Sequence, residues 1–157
     1  MNKKILYKEK LYACIVTIIY AFSLIYLYYN QTNPEFLGKV LNDLPAHIKF
    51  GVSGNSCYSL TYLILGFLWR VPHCRVMIAL CLTFFTLLSV FATLKLLKYL
   101  LPKVSKTNLY LLAFICNMYM PLFVPFFNDN DYIGLLSFVL YHNSTYIMMR
   151  PLAIFSI

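Results

Sequence analysis

The sequence predicts an all-α, polytopic helical membrane protein, and three observations carry that class. Of 157 residues, 61% are hydrophobic and only 11% are charged, where soluble domains average about 25% charged. The mean hydropathy is +0.72. The apolar residues are gathered into uninterrupted runs at 11–29, 76–94 and 109–127, and about 20 helical residues at 1.5 Å each cross a hydrocarbon layer of about 30 Å. Backbone polar groups must be satisfied within lipid, and unbroken apolar runs lack the alternation of barrel strands, so the runs are helices. The expected architecture is three transmembrane helices plus an incomplete fourth, in a single membrane domain spanning 1–157.

The N-terminal flank carries Lys3, Lys4, Lys8 and Lys10, which by the bias of basic residues toward the cytoplasm places it inside. The first run is long and lacks a small-x-small cleavage motif, so it reads as an uncleaved anchor and not as a secretory signal. Tyr7 and Tyr12 sit at its inner end and Tyr26, Tyr28 and Tyr29 at its outer end, in the manner of interfacial aromatic belts.

The first extracytoplasmic loop, 30–73, is punctuated by Pro34, Pro45, Gly51, Gly54 and Pro72 but is too rich in aliphatic and aromatic residues for disorder. It is expected to contain short interfacial helices. One runs from Pro45 to Phe50, since proline is tolerated in a first turn, with Gly51 as its left-handed stop. Leu60 to Trp69 is apolar but too short to span, so it lies in the interface or dips against protein.

The second span leads into a basic amphipathic segment with Lys95, Lys98, Lys103 and Lys106. These mark the loop 95–107 as cytoplasmic, each gaining about 1 kcal/mol from anionic headgroups. The third span returns the chain outward, bent or ended by Pro121 and Pro125. Residues 128–146 form a second extracytoplasmic loop, and 147–157 begin an apolar segment too short to cross. The expectation from that segment is the N-terminal part of something larger, or a truncated reading frame. The basic residues form no RNA-reading motif and many flank the spans, so membrane topology accounts for the net charge of +8 and nucleic acid is not an expected partner.

Chemistry-bearing residues concentrate in the loops. Asp43 and His47 are four apart, so a helix starting near Leu44 places them on one face. A carboxylate there can deprotonate an incoming hydroxyl and an imidazole can hold phosphate or metal. Asp43 before Pro45 is equally an ordinary N-cap, worth about 1 kcal/mol, and residue types alone favour that role. Lys49, Arg70 and Arg75 border the same loop and suit an anionic headgroup, although interfacial snorkelling uses the same residues. Asp129-Asn-Asp131 has the D-x-D form of metal-dependent sugar transferases, but a solvated turn fits it better, so the cofactor stays open between none and a divalent metal. His142 and Arg150 approach the last apolar segment, where an arginine near a helix end pairs with phosphate or an acid, or marks the interface. Cys14, Cys57, Cys74, Cys81 and Cys116 contain no C-x-x-C pair. Packed free thiols are expected in preference to a Cys57–Cys74 disulfide.

Taken together, the basic-flanked first span, Asp43-Leu-Pro-Ala-His47, Tyr58-Ser-Leu60 and Tyr141-His-Asn-Ser-Thr-Tyr146 ahead of Arg150-Pro151 resemble the start of large bacterial membrane proteins similar to the C-fold glycosyltransferases. The resemblance implies a polyprenyl-phosphate-linked sugar as donor and a glycan or lipid acceptor on the extracytoplasmic face. By position it implies Asp43 as catalytic base, with His47 beside it. Lys49, His142 and Arg150 would then hold the donor phosphate. The chain departs from such enzymes in length, since they carry many more spans. The alternative expectation is a non-enzymatic integral membrane protein: a transporter or export subunit, or a small helical assembly partner.

Overall fold

The computed structural model describes residues 3–32, 44–54, 59–118 and 144–156. Among them all regular structure is helical: α1 (Lys3–Gln31), α2 (Leu44–Ser53), α3 (Leu60–Trp69), α4 (Cys74–Leu100), α5 (Lys106–Met118) and α6 (Ser144–Phe155). Two of these, α1 over Leu11–Gln31 and α4 over its whole length, are long and apolar enough to cross a membrane. They contain the predicted runs 11–29 and 76–94. The third predicted run is helical as far as Met118, and its remainder lies outside the described residues. The last segment is α6, whose 12 residues extend about 18 Å, short of the hydrocarbon thickness.

Helix α1 leaves most of its apolar surface uncovered by the rest of the described chain. Only 17% of its apolar window is buried against the rest of the chain, whereas a soluble core helix is enclosed. Ile15, Val16, Ile18, Ile19, Phe22 and Tyr26 all remain exposed, a continuous apolar surface of the kind that water does not tolerate without a covering. The helix has no amphipathic bias, which suits an apolar medium on most sides. Its threonine and serine hydroxyls are satisfied within the helix: Thr17 donates to the Ala13 carbonyl at 2.7 Å and Ser23 to the Ile19 carbonyl at 2.9 Å.

Helix α4 is the hub. Its buried face runs through Ile78, Ala79, Leu82, Thr86, Ser89, Val90 and Thr93, and each neighbour is joined to it by a specific contact. Against α1, Thr86 donates its hydroxyl to the Leu82 carbonyl at 2.9 Å, leaving its oxygen to accept from the Tyr28 hydroxyl at 2.8 Å. Against α5, Ser89 donates to Asn117 Oδ1 at 3.0 Å, while Asn117 Nδ2 donates to Thr93 Oγ1 at 3.2 Å and to the Ala113 carbonyl at 2.8 Å. Hydrogen bonds of this kind hold helices together where burial offers little driving force, as in lipid. Tyr20 closes α1 on α5 with an edge-on contact to Phe114, ring centroids 5.5 Å apart.

The α4–α6 contact sets the direction of α6. Phe155 at the end of α6 lies against Phe91, with Lys95 Nζ over both rings, and α6 also touches α3, which leads into the start of α4. Helix α6 therefore runs alongside α4 in the same sense. At 1.5 Å per residue this places Arg150 at about the level of Thr86, near the middle of α4.

The connection from α3 to α4 is a tight turn in which His73 adopts a left-handed conformation at φ 57°, an uncommon one that histidine enters more readily than bulkier residues. Helix α2 begins at Leu44, as expected, but does not stop at Gly51. It continues to Ser53, and the left-handed residue is Gly54 at φ 72°. Gly51 instead lies at the α2–α3 crossing, where its backbone rests directly on Gly66. A methyl on Gly51 would collide with the Tyr62 carbonyl and lie 2.8 Å from the Gly66 nitrogen. One glycine from each helix thus removes the side chains that would hold the two backbones apart.

Candidate functional site

The α2–α3 pair stacks on the end of the bundle where α1 finishes and α4 begins, and among the described residues a concavity lies there. It is an apolar groove of about 440 Å³ lined by Thr32 from the end of α1, Pro45, Ile48, Lys49, Val52 and Ser53 from α2, and Trp69 from α3. The α2 lining recurs at the spacing of one helix face, while Leu44 and His47 are buried on the side turned to the protein. A single helix therefore supplies both a packing face and a groove wall.

Among the described residues three cations surround this end, and they are not equivalent. Arg75 donates through Nε to Thr32 Oγ1 at 3.3 Å and through its terminal nitrogen to the Tyr29 carbonyl at 3.2 Å, with its guanidinium 4.2 Å from the Tyr29 ring centre. Arg70 donates to the Val52 carbonyl at 3.3 Å. Both arginines thus serve carbonyls in the last turns of α1 and α2, where helical partners run out and a positive charge complements the helix dipole. Lys49 is exposed, lines the groove and has no hydrogen-bond or ion-pair partner among the described residues.

The residues singled out from the sequence separate on this frame. Lys49 belongs to the groove. His47 is buried with its ring against Tyr62, centroids 4.8 Å apart, on the packing side of α2. Arg150 is half-buried on α6, about 16 Å along α4 from the level of Arg75 by helical rise, so its backbone does not share an end of the bundle with Lys49. Asp43, His142 and the candidate metal pair Asp129 and Asp131 lie outside the described residues. Among the described residues no three His, Cys, Asp or Glu side chains gather as a metal site. Cys14, Cys74, Cys81 and Cys116 are free thiols, and Cys57 lies outside the described residues.

Sequence reasoning missed Thr32 and Trp69 as groove residues. Trp69 had a signal, being the one tryptophan of the chain at the end of a short apolar run next to an arginine. Such an amphipathic ring commonly marks an interface. Thr32 had none, since its place depends on α1 ending beside α2. Comparison with protein-family models, with curated proteins and with solved structures finds no match.

Proposed function

We propose that this chain is a membrane-embedded region of a glycosyltransferase that moves a sugar from a lipid-phosphate donor to an acceptor on the extracytoplasmic face. The observation that carries the proposal is the groove. It is apolar along most of its wall, opens at the end of the helices, and carries Lys49, a cation with no hydrogen-bond or ion-pair partner among the described residues. An amphiphile with a hydrocarbon chain and a phosphate matches both halves of that chemistry. In this reading α1, α4 and a longer α5 are spans, α6 starts a fourth, the N-terminus and loop 95–107 face the cytoplasm, and 30–73 and 128–146 lie outside.

Asp43 immediately precedes α2, two residues before the groove residue Pro45. Its role is to take the proton from the acceptor hydroxyl as the sugar leaves the lipid phosphate. Lys49 holds that phosphate and balances its charge. His142 acts from the 128–146 loop, whereas Arg150, about 16 Å along the bundle, stands apart from the Lys49 end. The buried ring of His47 makes it a support for α2.

The test is transfer from a polyprenyl-phosphate sugar by the purified protein in lipid nanodiscs, with donor binding measured in parallel. Asp43→Asn is expected to lower transfer by about 100-fold or more and leave donor binding unchanged. Lys49→Gln is expected to weaken donor binding about fivefold, the effect of one cation near an anionic headgroup. Undiminished transfer by Asp43→Asn removes it as the base. A second reading, a non-enzymatic assembly partner, is favoured by the broad exposed face of α1. It predicts co-purification with another membrane protein and indifference to Asp43→Asn.

A further inference from the structure

The opposite end of the bundle has a different chemistry. Helix α1 runs antiparallel to α4: Tyr28 and Tyr29 near its end meet Thr86 and Arg75, whereas Tyr20, two turns earlier, meets Phe114 on α5, one turn before the Asn117 that bonds Ser89 and Thr93 further along α4. The first turns of α1, with Lys3, Lys4, Lys8 and Lys10, therefore lie at the same end as the α4–α5 connection, with Lys95, Lys98, Lys103 and Lys106. By sequence position that end carries eight of the chain's 13 basic residues, and no Asp or Glu occurs between Leu44 and Asn128 to neutralise the second group.

The connection itself is ordered. Leu101 N–H donates to the Leu97 carbonyl at 2.8 Å, Val104 N–H to the Leu101 carbonyl at 3.1 Å, and Ser105 Oγ accepts the Asn108 N–H at 3.3 Å to cap α5. Lys95 and Lys98 in the last turns of α4, Lys103 in the connection and Lys106 at the start of α5 are all exposed. Between them Tyr99, Leu100, Leu101 and Val104 are exposed as well, Tyr99 by 83%. Lysines alternating with uncovered apolar side chains at the end of a membrane-crossing helix fit one kind of surface, in which negative headgroups lie directly above hydrocarbon.

We infer that the last turns of α4 and the α4–α5 connection are a binding surface for anionic lipid. The lysines contact headgroup phosphates, and Tyr99, Leu100 and Leu101 enter the acyl boundary. The apolar residues set this surface apart from one for nucleic acid, which would call for a solvated basic face or aromatic rings arrayed for base stacking.

The test uses the full chain in nanodiscs of equal parts phosphatidylcholine and phosphatidylglycerol, and measures which lipid is retained by the protein on extraction with mild detergent. Wild type is expected to retain the anionic lipid in roughly threefold excess or more, with the excess lost near 1 M salt, where screening acts within about 3 Å. The variant K95Q/K98Q/K103Q/K106Q is expected to bring retention to parity with an unchanged helical spectrum, and the corresponding Lys→Arg variant to keep the excess. Replacing Tyr99, Leu100 and Leu101 with serine is expected to reduce it. An unchanged excess in the four-glutamine variant overturns the inference. So does saturable RNA binding by wild type that is lost in the four-glutamine variant without any change in lipid retention.

Discussion

Gly51→Ala is expected to destabilise the packing of α2 on α3 by about 3 kcal/mol or more, the upper part of the range for overpacking. The sign is not obvious beforehand, because glycine to alanine inside a helix ordinarily stabilises by about 1 kcal/mol. The neighbours decide it. The atoms that a Gly51 methyl meets are the Tyr62 carbonyl and the backbone of Gly66, and a methyl on Gly66 meets the Gly51 backbone in return. Backbone cannot rotate aside as a side chain can, so relief requires the two helices to separate, exposing Leu65 and Thr61, both fully buried. Gly66→Ala is expected to behave alike. Gly54→Ala is the control: its surroundings are open but its φ is +72°, so it carries only the left-handed cost of about 1–2 kcal/mol. Thermal unfolding of the three variants in detergent, followed by helical ellipticity, checks the order.

Asn117→Leu is expected to cost about 2 kcal/mol, within the range for leaving buried polar partners unsatisfied. Asn117 is 2% exposed and joins Ser89 to Thr93 across the α4–α5 interface. Leucine keeps the branched shape of asparagine and is somewhat larger, so the loss is in hydrogen bonding and not in a cavity. Thr93 keeps its bond to the Ser89 carbonyl at 2.8 Å, which moderates the cost, while Ser89 Oγ loses its acceptor. Ser89→Ala alone is expected to cost about 0.6 kcal/mol, the average for an interhelical hydrogen bond in a membrane protein. The double variant is expected to fall short of additivity by about that amount, since each change removes the same bond. Unfolding by titration with a denaturing detergent measures all three.

How far the sequence could be read depended on whether a feature was local. The apolar runs now seen in α1 and α4 were legible because their length and composition alone decide their state in lipid. The start of α2 at Leu44 was legible from Pro45. Its end was not, because two glycines three residues apart compete for the stop. Gly51 is taken by the approach of Gly66, which is distant in sequence, so the left-handed turn falls to Gly54. The same distance effect governs the site. Lys49, Arg70 and Arg75 were legible as a basic cluster around one loop. That the arginines are held by the ends of α2 and α1 while Lys49 is left to the groove follows only from how those helices meet. Arg150 stands early in its apolar segment, and its depth beside Thr86 comes from the pairing of Phe155 with Phe91.

The central claim is that the groove beside Lys49 takes a lipid phosphate. A polyprenyl phosphate carrying a photoreactive diazirine on the isoprene unit next to the phosphate, irradiated with the protein in nanodiscs and mapped by peptide mass spectrometry, tests it most directly. The expected adducts fall on Ile48, Val52 or Trp69, are competed by unlabelled polyprenyl phosphate, and drop about fivefold in Lys49→Gln. Adducts spread along the exposed face of α1, at Ile19, Phe22 and Tyr26, and indifferent to competitor would contradict it.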